Sequence, residues 1–169
     1  MEPSSRRSRD KSWRVFGLWP ARFALIPPFL LLDIRITALA DSVLIDTSVW
    51  IEYFRKVQPY FDKTETLIEE KRVCTASIIL AELLQGSRSD SEFVALQSAS
   101  EVFEVLEADH LAWVDAARLS SRLRRKGKSV GLADCLIATL AHRSHCLLWT
   151  LDKHFKLIRA ELSLSLYSA

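Results

Sequence analysis

The chain is poor in glycine and proline, with four and five residues in 169. That scarcity excludes collagen-like and low-complexity architectures and points to helices joined by compact connections. Cysteine is scarce too. Cys74, Cys135 and Cys146 are odd in number and lack C-x-x-C spacing. Each sits among apolar residues, so they read as small core side chains in a reducing compartment rather than a disulfide framework or a thiolate metal site. No membrane span is legible: the apolar stretch Phe23–Leu32 is too short to cross a bilayer and is broken by Pro27 and Pro28. A strong charge of one sign is also missing. The formal net charge is +2, and residues 1–42 hold seven Lys/Arg against four acids, which leaves 16 bases and 17 acids from residue 43 onward. Bulk charge therefore gives no argument for nucleic-acid binding. Any such argument has to come from a site.

What is present is ordinary globular composition, 49% apolar and 26% charged, in a length suited to one well-buried domain. The first 41 residues stand apart from a domain spanning 42–169. They open with the polar, basic stretch SSRRSRDKSWR and carry no apolar periodicity. Three accounts fit them: a signal segment cut after Ala38-Leu-Ala40, a disordered or loosely docked extension, or an over-extended start with translation beginning near Val43. The abrupt change to strand–turn–helix patterning at Val43 favours the last.

From Val43 short apolar runs alternate with helical stretches. Val43–Ile45, Val73–Thr75, Val102–Leu106 and Leu147–Thr150 read as buried strands, and Leu162–Leu166 as a final edge strand. Helices are expected over 49–56, 62–71, 78–85, 90–100, 109–126, 132–143 and 153–158. Ser77 is placed to cap the third of these, with Gly86 as its stop, and Gly127 ends the long one. The alternation predicts an α/β fold with a central parallel sheet and helices on both faces.

Four acids occupy places where a carboxylate needs a reason. Asp46 directly follows the first strand, and Asp152 lies just beyond Leu147–Thr150, where open α/β sheets bind their ligands. Helix capping is the simple alternative for both. Glu82 sits in Ser77-Ile-Ile-Leu-Ala-Glu-Leu-Leu, a segment apolar nearly all round, and calls for a cation or a distant arginine. Asp134 shares the inward stripe of its helix with Ile137 and Ala141, though the helix dipole also favours an acid there. Four such acids brought together would repel unless a multivalent cation gathered them. Oxygen ligands without His or Cys select Mg²⁺ or Mn²⁺ over Zn²⁺, a setting suited to phosphate chemistry.

In order and spacing these residues resemble the PIN-domain nucleases, specifically the VapC-type toxins of toxin–antitoxin pairs. The matching segments are Ile45-Asp-Thr-Ser-Val-Trp50, Ala81-Glu-Leu-Leu-Gln-Gly86, Ala133-Asp-Cys-Leu-Ile-Ala138 and Thr150-Leu-Asp-Lys-His-Phe155. The resemblance covers nearly all of residues 43–166. It implies a PIN-like three-layer α/β sandwich and a cytoplasmic, Mg²⁺- or Mn²⁺-dependent endoribonuclease that hydrolyses RNA phosphodiesters, leaving a 5′-phosphate and a 3′-hydroxyl. It also implies that Asp46 and Asp134 bind the metal directly, with Glu82 and Asp152 completing the set. Ser48 and Thr150 fall on hydroxyl positions that orient those carboxylates. A VapB-like antitoxin and homodimerisation are the implied partnerships. The departure from the family is the N-terminal extension.

Other features are weaker. Arg122, Arg125, Lys126 and Lys128 belong to a basic cluster at the end of the long helix, suited to RNA phosphates or simply to the helix dipole and solvent. His142 and His145 read as helix-end residues. Trp50, Tyr53 and Phe54 read as core or as a partner patch. Competing functions are an aspartyl phosphatase, disfavoured by Ser48 where a second Asp is expected, an RNA-processing nuclease without a toxin role, and a non-catalytic RNA-binding or interaction module.

Overall fold

The computed structural model describes residues 41–168. The three accounts of the first forty residues therefore lie outside the described residues. Among the described residues four short strands form one sheet: β1 (Val43–Ile45), β2 (Val73–Ala76), β3 (Glu104–Leu106) and β4 (Leu147–Trp149). All pairings are parallel and the order is β3-β2-β1-β4. Strands covered on both faces need apolar side chains at successive positions, not alternate ones. Val43, Leu44 and Ile45 accordingly have no exposure at all. The edge strand β3 carries exposed Glu104.

Among the described residues seven helices flank the sheet: α1 (Thr47–Phe54), α2 (Tyr60–Glu69), α3 (Ser77–Gln85), α4 (Asp90–Ser100), α5 (His110–Arg125), α6 (Leu132–Arg143) and α7 (His154–Ile158). Helix α5 lies along α6, α1 along α2 and α3 along α4. This is the α/β sandwich expected from the alternation of elements. Trp50, Tyr53 and Phe54 are buried on the inner face of α1, which makes them core, and Trp50 stacks on Phe54 with ring centres 5.8 Å apart. All three cysteines are buried and free. Among the described residues no helix is long and apolar enough to cross a membrane.

Glycine scarcity leaves a mark on how helices end. In α5 the backbone N–H of Lys128 reaches Leu123 and that of Gly127 reaches Arg124, closing the chain in a left-handed cap with φ +72° at Gly127. Helices α1, α2 and α6 end with the same pair of hydrogen bonds, but Lys56, Lys71 and His145 occupy the left-handed position with φ 57°, 56° and 55°.

Three local expectations need correcting. Ser77 does not cap α3. Ala76 is the cap residue, and Ser77 Oγ donates instead to Glu107 Oε1 at 2.6 Å. Gly86 ends α3 at φ −80°, so it is an ordinary right-handed terminus and not a left-handed stop. The segment Leu162–Leu166 is no strand. It meets β4 at a single bridge, Leu148 to Leu166, while the Ser163 carbonyl is taken by His142 Nδ1 at 2.7 Å. That contact also accounts for His142 at the end of its helix.

Candidate active site

In a parallel sheet the loops after every strand emerge at one edge, and that edge positions the acids. Asp46 follows β1, Glu82 lies on the helix after β2, and Asp152 lies beyond β4. Asp134 arrives from the first turn of α6, where the unpaired N–H groups of the helix favour its charge. All four carboxylates line one cavity of about 300 Å³.

Asp46 is the most constrained of them. Only 5% of its surface is exposed. Its Oδ2 accepts from Ser48 Oγ at 2.6 Å, Thr150 Oγ1 at 2.9 Å and the Ser48 backbone N–H at 3.3 Å. The last contact is an N-cap on α1. The polarity of the hydroxyls follows from their other neighbours. Leu151 N–H donates to Ser48 Oγ and Asp152 N–H donates to Thr150 Oγ1, both at 3.0 Å. Each hydroxyl accepts from the backbone beyond β4, so its own proton is directed to Asp46. Capping and site building are thus the same interaction here, not alternatives.

Glu82 Oε2 accepts from Thr47 Oγ1 at 2.6 Å. A hydroxyl from α1, and not a distant arginine, answers this carboxylate. Helix α3 is less buried than its composition predicts: only Ile79 and Leu83 are fully covered, and Ala81 and Gln85 are exposed. Asp152 Oδ1 accepts from the His154 N–H at 2.8 Å. His154 Nδ1 then lies 3.2 Å from Asp152 Oδ1 and 3.4 Å from Asp134 Oδ2. One donor atom each from Asp134, Asp152 and His154 falls within 4.8 Å of the others, close enough to share a cation.

Sequence reasoning missed Thr47, Glu52, Arg55 and His154. The signal for two of them was available. Ser48, Ile51, Glu52 and Arg55 recur at the spacing of one helix face, and that face of α1 forms a wall of the cavity. His154 changes the donor chemistry, because an imidazole nitrogen joins an otherwise all-oxygen set. The basic cluster does not reach the cavity wall. Lys126 Nζ is paired with Glu161 at 2.8 Å, and Lys128 Nζ lies 3.9 Å from the same carboxylate. Lys126 holds the Glu161 carboxyl below its usual range.

Comparison with known proteins identifies the family. The PIN domain family matches residues 43–161. Ribonuclease VapC1 of Methanocaldococcus jannaschii is 30% identical over 129 residues, 75% of this chain and 88% of its own. Ribonuclease VapC11 of Mycobacterium tuberculosis is 32% identical over 121 residues, 69% of this chain and 90% of its own. Among solved structures, VapBC2 from Rickettsia felis bound to a fragment of its promoter DNA superposes with a TM-score of 0.59 at 26% identity, covering 74% of this chain and 96% of that one. VapBC-5 of Mycobacterium tuberculosis, a toxin–antitoxin system, gives 0.54 at 27% identity, covering 77% and 99%.

Proposed function

The chain belongs to the PIN-domain family and is homologous to VapC-type toxins, and from that premise we propose that it is a metal-dependent endoribonuclease, the toxin of a VapBC-type pair. The observation that carries this reading is the convergence of Asp46, Glu82, Asp134 and Asp152 on one cavity, with Asp46 held by two hydroxyls.

The donor set fits a divalent cation, Mg²⁺ or Mn²⁺. Carboxylates of like charge crowded on a cavity wall are compatible when such an ion lies among them. When bound, the cation polarises a phosphoryl oxygen and makes water acidic enough to attack phosphorus near neutral pH. The protein's part is positioning. Asp46 and Asp134 would hold the cation directly, while Ser48 and Thr150 keep the Asp46 carboxylate from rotating. Glu82 and Asp152 would complete the set, and one of them would take the proton of the attacking water. His154, against both Asp134 and Asp152, tunes the set toward ions that accept nitrogen.

The substrate is RNA, and the partners are a VapB-like antitoxin and a second copy of the chain, in the cytoplasm. The nuclease domain begins at about residue 42. The test uses the full chain beside Asp46→Asn, incubated with structured RNA and Mg²⁺, Mn²⁺ or EDTA. Cleavage should require metal and vanish in the variant, with 5′-phosphate ends on the products. Equal cleavage by two folded proteins would remove Asp46 from the chemistry and the reading with it.

A further inference from the structure

Arg55 supplies the only basic side chain on the cavity wall among the described residues, facing five carboxylates (the four acids and Glu52). A cavity lined in this way repels a polyanion wherever a cation does not intervene, so a substrate phosphate needs a counter-charge besides the metal. Arg55 is placed to provide it. It stands seven residues after Ser48 on the cavity face of α1, about 10 Å along the helix axis from the end that holds Asp46. Side chains on a helix lean toward its N-terminus. The Arg55 guanidinium follows that lean, with Nη1 donating to Glu52 Oε1 at 2.9 Å, one turn closer to Asp46. Both partners are about three-quarters covered, at 26% and 23% side-chain exposure, so this is a held pair and not a loose surface contact.

We propose that Arg55, positioned by Glu52, binds the RNA phosphate that flanks the scissile one. The inference rests on the ribonuclease reading and adds a substrate contact to it. Helix α1 then forms a ruler. Its N-terminal end positions the cation through the cap residue Asp46 and Ser48, and Arg55, the cap residue at its other end, grips the neighbouring phosphate. A guanidinium suits the task because it keeps its charge at every working pH, and the arm given to Glu52 sets its direction. The bland account is that Arg55 only balances the acids and the negative end of the helix. The two accounts differ in what they predict for RNA and for metal.

The experiment uses the full chain with Ca²⁺, and a short fluorescein-labelled single-stranded oligoribonucleotide of random sequence followed by anisotropy. Mn²⁺ affinity is measured separately by electron paramagnetic resonance. Arg55→Ala should bind the oligonucleotide roughly ten-fold more weakly. Its plot of log affinity against log salt should lose about 0.7 of slope, the share of one phosphate contact on a single strand. Mn²⁺ affinity should stay within two-fold. Arg55→Lys, which keeps the charge, should retain the slope and recover only part of the affinity; it also serves if the alanine variant does not fold. Unchanged RNA affinity and slope in a folded Arg55→Ala variant overturns the assignment, and a rise in Mn²⁺ affinity alongside that result identifies charge balance instead. A wild-type chain that binds Mn²⁺ but no RNA overturns the substrate reading as well.

Discussion

Thr150 Oγ1 donates to Asp46 Oδ2 at 2.9 Å, tying the loop beyond β4 to the end of β1 across 104 residues of sequence. The same hydroxyl accepts from Asp152 N–H at 3.0 Å, so one side chain orients two of the four candidate ligands.

Thr150→Val keeps the shape and removes both hydrogen bonds. Mn²⁺ affinity measured by titration calorimetry should fall on the order of ten-fold, the usual cost of losing a group that orients a metal ligand. Thr150→Ser should stay near wild type. Equal affinities for all three proteins would detach the hydroxyl from the metal site.

His154 should separate Mn²⁺ from Mg²⁺. Its Nδ1 lies within 3.4 Å of both Asp134 and Asp152 oxygens. His154→Ala should lose more affinity for Mn²⁺ than for Mg²⁺, because the nitrogen donor is worth more to the softer ion. Nitrogen couplings in the pulsed paramagnetic resonance spectrum of the Mn²⁺ complex should disappear with it. Their absence from the wild-type spectrum would rule out direct ligation.

Gly131 lies beside Asp134: a Cβ added there would stand 3.3 Å from Asp134 Oδ2, while its φ of −63° suits any residue. Gly131→Ala should therefore lower Mn²⁺ affinity several-fold with little change in the urea midpoint. A loss of stability without a metal effect would contradict this.

The left-handed helix ends give opposite expectations for stability. Gly127→Ala places a Cβ at φ +72° and should destabilise by about 1 kcal/mol. Lys71→Gly relieves the same strain at φ 56° and should stabilise by up to about 1 kcal/mol, less the extra freedom of glycine in the unfolded chain. Urea denaturation reads both, and two shifts of the same sign would refute the account.

Asp109 caps α5 through Ala112 N–H at 2.7 Å and pairs with both arms of Arg143 at 2.8 and 3.0 Å, joining α5 to the end of α6. The Arg143 guanidinium, then the cap, hold its carboxyl below the usual range. A lowered carboxylate contributes stability above its unfolded value and loses it as pH falls through the folded one. Thermal midpoints of Asp109→Asn should sit below wild type near neutrality and converge with it below roughly pH 4. A gap that persists unchanged into acid would point to packing instead.

The sequence by itself determined the element order, the parallel sheet and the four candidate acids. These follow from local facts: apolar runs too continuous to alternate, carboxylates at strand ends, and a carboxylate inside an apolar helix segment. Tertiary structure decided the rest. Thr47, Glu52 and Arg55 are ordinary polar residues in sequence and line the cavity, and His154 comes against Asp134 and Asp152, only when α1, α3, α6 and the loop beyond β4 meet at one sheet edge. The hydrogen bonds from Leu151 N–H to Ser48 and from Thr150 to Asp46 each join residues more than a hundred positions apart, beyond the reach of periodicity. Leu162–Leu166 has strand-like residues and lies beside the outer edge of β4, but only Leu166 comes into register there, at the bridge to Leu148. The fold directs the Ser163 carbonyl to His142 instead.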